Sequence, residues 1–278
     1  MFDALRIGFI GGGNMARSLV GGLVQKGCPP ARISVADPSP EQRTLLAKGF
    51  GVKTTAENRE AAEDAEVLVI AVKPQMFRQA ATSLKGLVNQ GRPLVISVAA
   101  GIATPDIVRW LGGRAAVVRV MPNTPALIGA GAAGLYATPA VSADQRGIAA
   151  ALLEAVGTAL WIEDESLMDA VTALSGSGPA YFFLLTELME SAARELGLPS
   201  DAARRLALQT AYGAARMALE SGQAPAELRK QVTSAGGTTA AAVKVFEDAG
   251  LGAIVLRALT AARDRGREMS REAGEEKP

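Results

Sequence analysis

Histidine is absent from all 278 residues, which removes the commonest general acid and base, the serine–histidine nucleophile pair and the usual metal ligand. Chemistry here must come from a bound cofactor or from the placement of polar groups. Cysteine is nearly absent too: Cys28 stands alone, so there is no intrachain disulfide and no cluster to hold zinc or iron–sulfur. No metal is expected, and a lone thiol suits the reducing cytoplasm. Net charge is small, 29 Lys plus Arg against 28 Asp plus Glu, leaving no field to draw nucleic acid or an anionic membrane, and neither partner is expected. Long apolar runs are also lacking. Val67 to Val72 is far short of a bilayer span, and the first residues lack the basic start of a secretion signal. Aromatics make up 4% against 49% hydrophobic residues, so the core must be aliphatic.

What is present is alternation. A chain of this length favours two domains. In the first half, apolar runs alternate with helix signals: strands at Arg6 to Ile10, Ile33 to Ala36, Val67 to Val72, Leu94 to Val98 and Ala116 to Val120. Between them lie helices from Met15 to Gln25, after Ser39-Pro40, after Pro74 and from Thr104-Pro105. Ser142 with Gln145 reads as a capping box opening a further helix, and Thr158 to Ile162 as a last short strand. Strand–helix alternation predicts a parallel, doubly wound sheet covered on both faces.

The turn after the first strand gives this sheet a purpose. Gly11, Gly13 and Ala16 form GxGxxA between strand and helix, where the first glycine makes the turn, the second admits a pyrophosphate and the small third residue permits close packing. Asp37, at the end of the second strand, holds the place of the acid that binds a ribose 2′-hydroxyl. That points to NADH. Arg43 and Lys48 follow closely and can offset the acid, and Asp37 also reads as a turn residue before Pro38, so the choice between NADH and NADPH stays open.

After Glu163 the alternation stops and everything reads as helix, dividing the chain into residues 1–164 and 165–278. The expected helices run from Gly178 to Glu195, from Ser200 to about Leu219, briefly from Pro225, from Thr238 to Asp248 and from Leu251 to Met269. Those containing Tyr181 to Met189 and Ala207 to Leu219 are apolar around most of their circumference, the mark of a surface that buries against a second copy, with a self-contained bundle as the plain alternative. The charged tail from Arg263 reads as solvated helix fraying into a disordered end. Between the third and fourth helices lies VTSAGGTT. Gly236 and Gly237 let backbone approach a ligand, and the first amides of the next helix, with the hydroxyls of Thr238 and Thr239, make a seat for a small carboxylate. The plain alternative is that Ser234 or Thr238 merely caps that helix.

Four stretches taken together resemble the pyrroline-5-carboxylate reductase family: GFIGGGNMA (Gly8 to Ala16), AVKPQ (Ala71 to Gln75), DAVTALSGSGPAY (Asp169 to Tyr181) and PAELRKQVTSAGGTTAAAVKVFE (Pro225 to Glu247). The first two are shared with wider groups of nucleotide-binding reductases; the last is specific. The resemblance implies a Rossmann-type domain, residues 1–164, followed by an all-helical substrate-binding and dimerisation domain, residues 165–278. It implies reduction of L-1-pyrroline-5-carboxylate to L-proline by hydride from NADPH or NADH, the last step of proline biosynthesis. Substrate contacts are implied at Glu165, Val232, Ser234, Gly236, Gly237, Thr238 and Thr239, with Thr239 at the ring nitrogen as the catalytic hydroxyl. Cofactor contacts are implied at Gly11, Gly12, Gly13, Asn14, Met15, Asp37, Asn58, Ala71, Val72, Lys73, Pro74, Val98, Ala99 and Ala100. A homodimer through the helical domain, with the substrate loop of one subunit facing its partner's cofactor domain, and a higher ring such as a decamer are implied as well. Asp37 departs from several relatives, which have a small or neutral residue there suited to a 2′-phosphate. Lys73 keeps three readings: a cofactor-side residue, a proton donor as in hydroxyacid dehydrogenases, or a surface lysine. Two other functions remain: a hydroxyacid dehydrogenase-like reductase using Lys73, and an NAD(P)-binding redox sensor without turnover. The Gly-Gly-Thr-Thr seat argues against both.

Overall fold

The computed structural model describes residues 2–275. Each apolar run forms a short strand, and each following amphipathic segment crosses back over the sheet as a helix, the connection that parallel strands require. β1 (Ile7–Ile10) leads into α1 (Asn14–Gln25), β2 (Ile33–Ala36) into α2 (Pro40–Phe50) and β3 (Lys53–Thr55) into α3 (Asn58–Ala62). β4 (Val67–Ile70) leads into α4 (Pro74–Gly91) and β5 (Leu94–Ser97) into α5 (Thr104–Trp110). β6 (Ala116–Met121), β7 (Gly131–Ala137), α6 (Ala143–Glu154) and β8 (Gly157–Trp161) complete the set.

The sheet order is β3-β2-β1-β4-β5-β6-β7-β8. All pairs are parallel except β6 with β7. That reversal follows from the linker, a single 3-10 turn at Thr124–Ile128 with no crossover helix. Alternate strand residues feed two apolar layers. Phe9, Val35, Val69 and Ile96 meet Leu19, Leu23, Leu152 and Leu153 on one face, while Ile10, Leu68, Ile70 and Val95 meet Phe77, Leu84 and Trp110 on the other.

After β8 come α7 (Met168–Val171) and a π-helical turn over Thr172–Gly176. Then follow α8 (Gly178–Glu195), α9 (Ser200–Ser221), α10 (Pro225–Gln231), α11 (Thr238–Asp248) and α12 (Leu251–Gly274). By contacts the chain forms two units: the sheet unit, which runs through Ser177 and resumes at Ala261, and a helical unit, Gly178–Thr260. Glu165 to Ser177 thus pack with the sheet. Gly134 of β7 makes this fit possible, since a Cβ there would stand 2.6 Å from Val171 Cγ1.

The charged tail departs from the sequence expectation. α12 continues to Gly274, and instead of remaining solvated it packs on the sheet unit: Gly266 is buried beside Asp169, Met269 lies against Gly101, and Arg109 Nη2 donates to Gly274 O at 3.0 Å. Small residues at Gly266, Ala273 and Gly274 give this charged helix a low face for docking. The end of the expected fraying segment, residues 276–278, lies outside the described residues. Among the described residues no helix is long and apolar enough to cross a membrane.

Candidate functional site

One candidate site, within the sheet unit, is the carboxyl edge of the parallel strands. Gly11 N donates to Ala36 O at 2.8 Å, Ala71 N to Ile10 O at 2.8 Å and Val98 N to Ile70 O at 3.2 Å. These bonds set Gly11 to Gly13, Asp37, Ala71 to Pro74 and Val98 to Ala100 in one row. Asn58 begins α3 just after β3 on the same edge. Strand order reverses between β1 and β4, so the crevice at a topological switch point opens here.

The three glycines have separate reasons. Gly11 has φ +97°, and a Cβ on it would stand 2.7 Å from Ala71 O; one on Gly12 would stand 2.7 Å from Leu46 Cδ1. Gly13 instead faces open space, with nothing within 4 Å of a Cβ position. It is also the N-cap of α1, where no side chain caps the helix and no acid sits in the first turn. The amides at Asn14 and Met15 therefore present the positive end of a helix to an uncovered backbone, which fits a pyrophosphate. Ala16, fully buried, lets α1 lie close on the sheet.

Asp37 is tied into this turn. Its Oδ2 accepts from Gly12 N at 2.7 Å and its Oδ1 from Ser39 N at 2.9 Å. Arg43 Nη1 donates to the carbonyl oxygens of Asp37 and Pro38 at 2.7 and 2.9 Å, so a guanidinium stands beside the acid. Lys73, exposed, is the N-cap of α4 just ahead of Pro74.

A second candidate site lies in the helical unit, in the loop between α10 and α11. Gly236 has φ +72° and Gly237 is the N-cap of α11. Neither Ser234 nor Thr238 caps that helix; no side chain does. Thr238 and Thr239 occupy its first two positions, so uncapped amides and two hydroxyls share one helix start. Val232 and Ser234 are exposed in the same loop.

Glu165 belongs to the sheet unit, unlike the other expected substrate residues. Its Oε1 accepts from Thr104 N at 2.7 Å and from Arg119 Nη1 at 3.1 Å, and its Oε2 accepts from the Thr104 hydroxyl at 2.6 Å. Arg119, 5% exposed on β6, also pairs with Asp169 at 3.4 Å. Sequence reasoning missed this arginine, though a single charge inside a β-branched run is a signal, since a buried charge needs partners. It also missed Asn123, which receives Ala132 N at 2.9 Å and donates to Ser175 O at 3.1 Å, joining the π-helical turn to β7.

Comparison with known proteins covers both ends of the chain. Residues 165–269 match the family described as pyrroline-5-carboxylate reductase dimerisation, and residues 6–101 match the family described as NADP oxidoreductase coenzyme F420-dependent. A pyrroline-5-carboxylate reductase of Pseudomonas aeruginosa is 51% identical over 270 residues, covering 97% of this chain and 98% of that one. The solved structure of a pyrroline-5-carboxylate reductase from Coxiella burnetii superimposes with a TM-score of 0.92 at 45% identity, covering 96% and 98% of the two chains. A pyrroline carboxylate reductase of Plasmodium falciparum with NADP bound gives a TM-score of 0.85 at 27% identity over 97% and 100%.

Proposed function

The chain belongs to the pyrroline-5-carboxylate reductase family, and from that premise we propose how its two half-sites reduce L-1-pyrroline-5-carboxylate to L-proline, the last step of proline biosynthesis. It is an NAD(P)H-dependent oxidoreductase acting on a cyclic C=N bond. When bound, the nicotinamide cofactor supplies the hydride. The residues proposed to hold it are Gly11 to Met15, Asp37, Asn58, Ala71 to Pro74 and Val98 to Ala100, supported by the open Gly13 and the uncapped start of α1. Lys73 is assigned to this edge as a cofactor-side residue.

The substrate residues are proposed to be Val232, Ser234, Gly236, Gly237, Thr238 and Thr239. The observation that carries this assignment is the uncapped start of α11: its amides suit the substrate carboxylate, and the Thr239 hydroxyl suits the ring nitrogen. A cyclic imine is basic enough to be bound as the iminium, so a chain without histidine needs no strong acid at this step, and positioning carries the catalysis.

The protein forms homo-oligomers through its helical half. A dimer is the proposed unit, supported by the exposed apolar side chains of α8 and α9, and a ring such as a decamer rests on the family resemblance alone. The cytoplasm is the proposed compartment, in keeping with the lone thiol of Cys28, whose burial pushes its pKa up and keeps it protonated.

The test is turnover of pyrroline-5-carboxylate with NADH or NADPH, followed by loss of reduced-nicotinamide absorbance, for the parent and Thr239→Ala. The variant should lose about tenfold or more in kcat/KM, the scale of one hydrogen bond to a charged group, with cofactor affinity nearly unchanged. No turnover by the parent with either cofactor overturns the function. Equal rates for the two proteins overturn the role of Thr239.

A further inference from the structure

α5 needs an N-terminal cap, and its own N-cap residue, Ala103, has no polar side chain to give one. Glu165, 61 positions later in the chain, serves instead by receiving both the amide and the hydroxyl of Thr104. Its negative charge stands at the positive end of the helix and is matched by the Arg119 guanidinium at 3.1 Å. Arg119 is held from its other side by Asp169 at 3.4 Å. Three of the roughly four acceptor sites of this carboxylate are thus taken by protein donors.

The position of this cluster gives it a consequence for the cofactor edge. Arg119 lies directly across the sheet from Ser97, the residue before Val98 to Ala100. The loop from Ser97 to Thr104 is thus fixed by strand pairing at one end and by Glu165 at the other. Met269 of α12 lies on Gly101 in its middle, and Gly266 of the same helix lies beside Asp169. The chain leaves the sheet unit after Ser177 and returns at Ala261, so both passages connect to segments that grip this loop.

We propose that Glu165, clamped by Arg119, is a positioning residue for the cofactor loop Val98 to Ala100, acting through Thr104, and is not a ligand of the substrate. This rests on the reading of that loop as a cofactor contact. The experiment compares Glu165→Gln, Thr104→Val, Thr104→Ser and a control, Gly13→Glu, which blocks the open glycine. Three quantities are read: the Kd of NADH and NADPH from nicotinamide fluorescence, the KM for pyrroline-5-carboxylate at saturating cofactor, and amide exchange of residues 98–110 in cofactor-free protein. Glu165→Gln and Thr104→Val should each raise the cofactor Kd by about tenfold, the scale of one charge-assisted hydrogen bond, and speed exchange across the loop. Thr104→Ser, which keeps the hydroxyl, should restore both, and the Glu165→Gln/Thr104→Val double variant should be no worse than the weaker-binding single. A raised KM for pyrroline-5-carboxylate in Glu165→Gln, with parental cofactor Kd and exchange, overturns the proposal and returns Glu165 to the substrate. If Gly13→Glu abolishes cofactor binding while the Glu165 and Thr104 variants bind as the parent does, the positioning role alone fails. If Gly13→Glu binds normally, the cofactor edge itself has been misassigned and the proposal falls with it.

Discussion

At the scale of single residues, Asp37 decides the most. Its carboxylate accepts from the glycine turn and from Ser39, and in the proposed cofactor site it is the acid that meets a ribose 2′-hydroxyl. A 2′-phosphate brought there meets the acid first, although Arg43 stands close by on the backbone of Asp37 and Pro38. Asp37→Ser removes the repulsion and leaves the arginine, so the ratio of kcat/KM for NADPH to that for NADH should rise by about tenfold or more, equal to at least about 1.4 kcal/mol of changed discrimination. An unchanged ratio in steady-state kinetics would place the ribose elsewhere. Asp37 was legible in the sequence because its motif is local: glycine turn, helix, strand, acid. Arg119 was not, because its partners Glu165 and Asp169 lie 46 and 50 positions away and no spacing rule joins them. The partners of Glu165 were illegible for the same reason. A carboxylate in an acidic loop shows no donors until the fold brings Thr104 to it.

At the scale of elements, capping and small-residue packing explain what the sequence revealed and what it hid. The capping box of α6 was legible and is complete: Gln145 N donates to Ser142 Oγ at 3.2 Å, and Ser142 N to Gln145 Oε1 at 3.0 Å. Through Leu152 and Leu153 this helix shares an apolar layer with Leu19 and Leu23 of α1, the helix that opens at Gly13. Ser142→Ala should cost about 1 kcal/mol, a fall in Tm of roughly 2–4 °C, with cofactor Kd unchanged because α1 keeps its own start. Calorimetry and a cofactor titration on the same sample check both parts; a parental Tm would mean that the box is not stabilising. β7 was hidden because Gly131–Ala137 contains no β-branched residue. Its small residues serve packing instead, as the approach of Val171 to Gly134 shows. The docking of α12 was hidden by charge, since glycines and an alanine among arginines and glutamates read as solvated helix until their low face meets α5, α7 and the loop at Gly101.

At the scale of the whole molecule, the helical unit has no self-sufficient core. Within Gly178–Thr260 the buried residues are Gly178, Ala203 and Ala207, all small. Meanwhile Phe182 and Phe183 are 69% and 68% exposed, and Leu184, Leu188, Leu206 and Tyr212 are more than half exposed. Each such side chain gains about 1.5–3 kcal/mol when fully buried, so a surface of this kind drives association strongly before the costs of ordering and immobilisation are subtracted. That was legible in the sequence, because a helix apolar around most of its circumference predicts a second surface without knowledge of the fold. Helices of one copy alone cannot cover all these faces, whereas a symmetric partner presents the same apolar surface in return. Phe183→Glu puts a charge into such an interface, where an unpaired buried carboxylate is far more costly than the lost contact. The variant should run as a monomer or a weakened, concentration-dependent dimer in light scattering, with a markedly lower Tm for the helical part. Its sheet unit has its own two-layered core and should still bind NADH with the parental Kd. Turnover should nonetheless fall steeply, because the proposed substrate seat at Thr238 and Thr239 belongs to the unit that loses its support. An undiminished oligomer would show that the interface is made by other faces of α8 and α9. A monomer that retains full turnover would show that oligomerisation is not required to hold the seat in place.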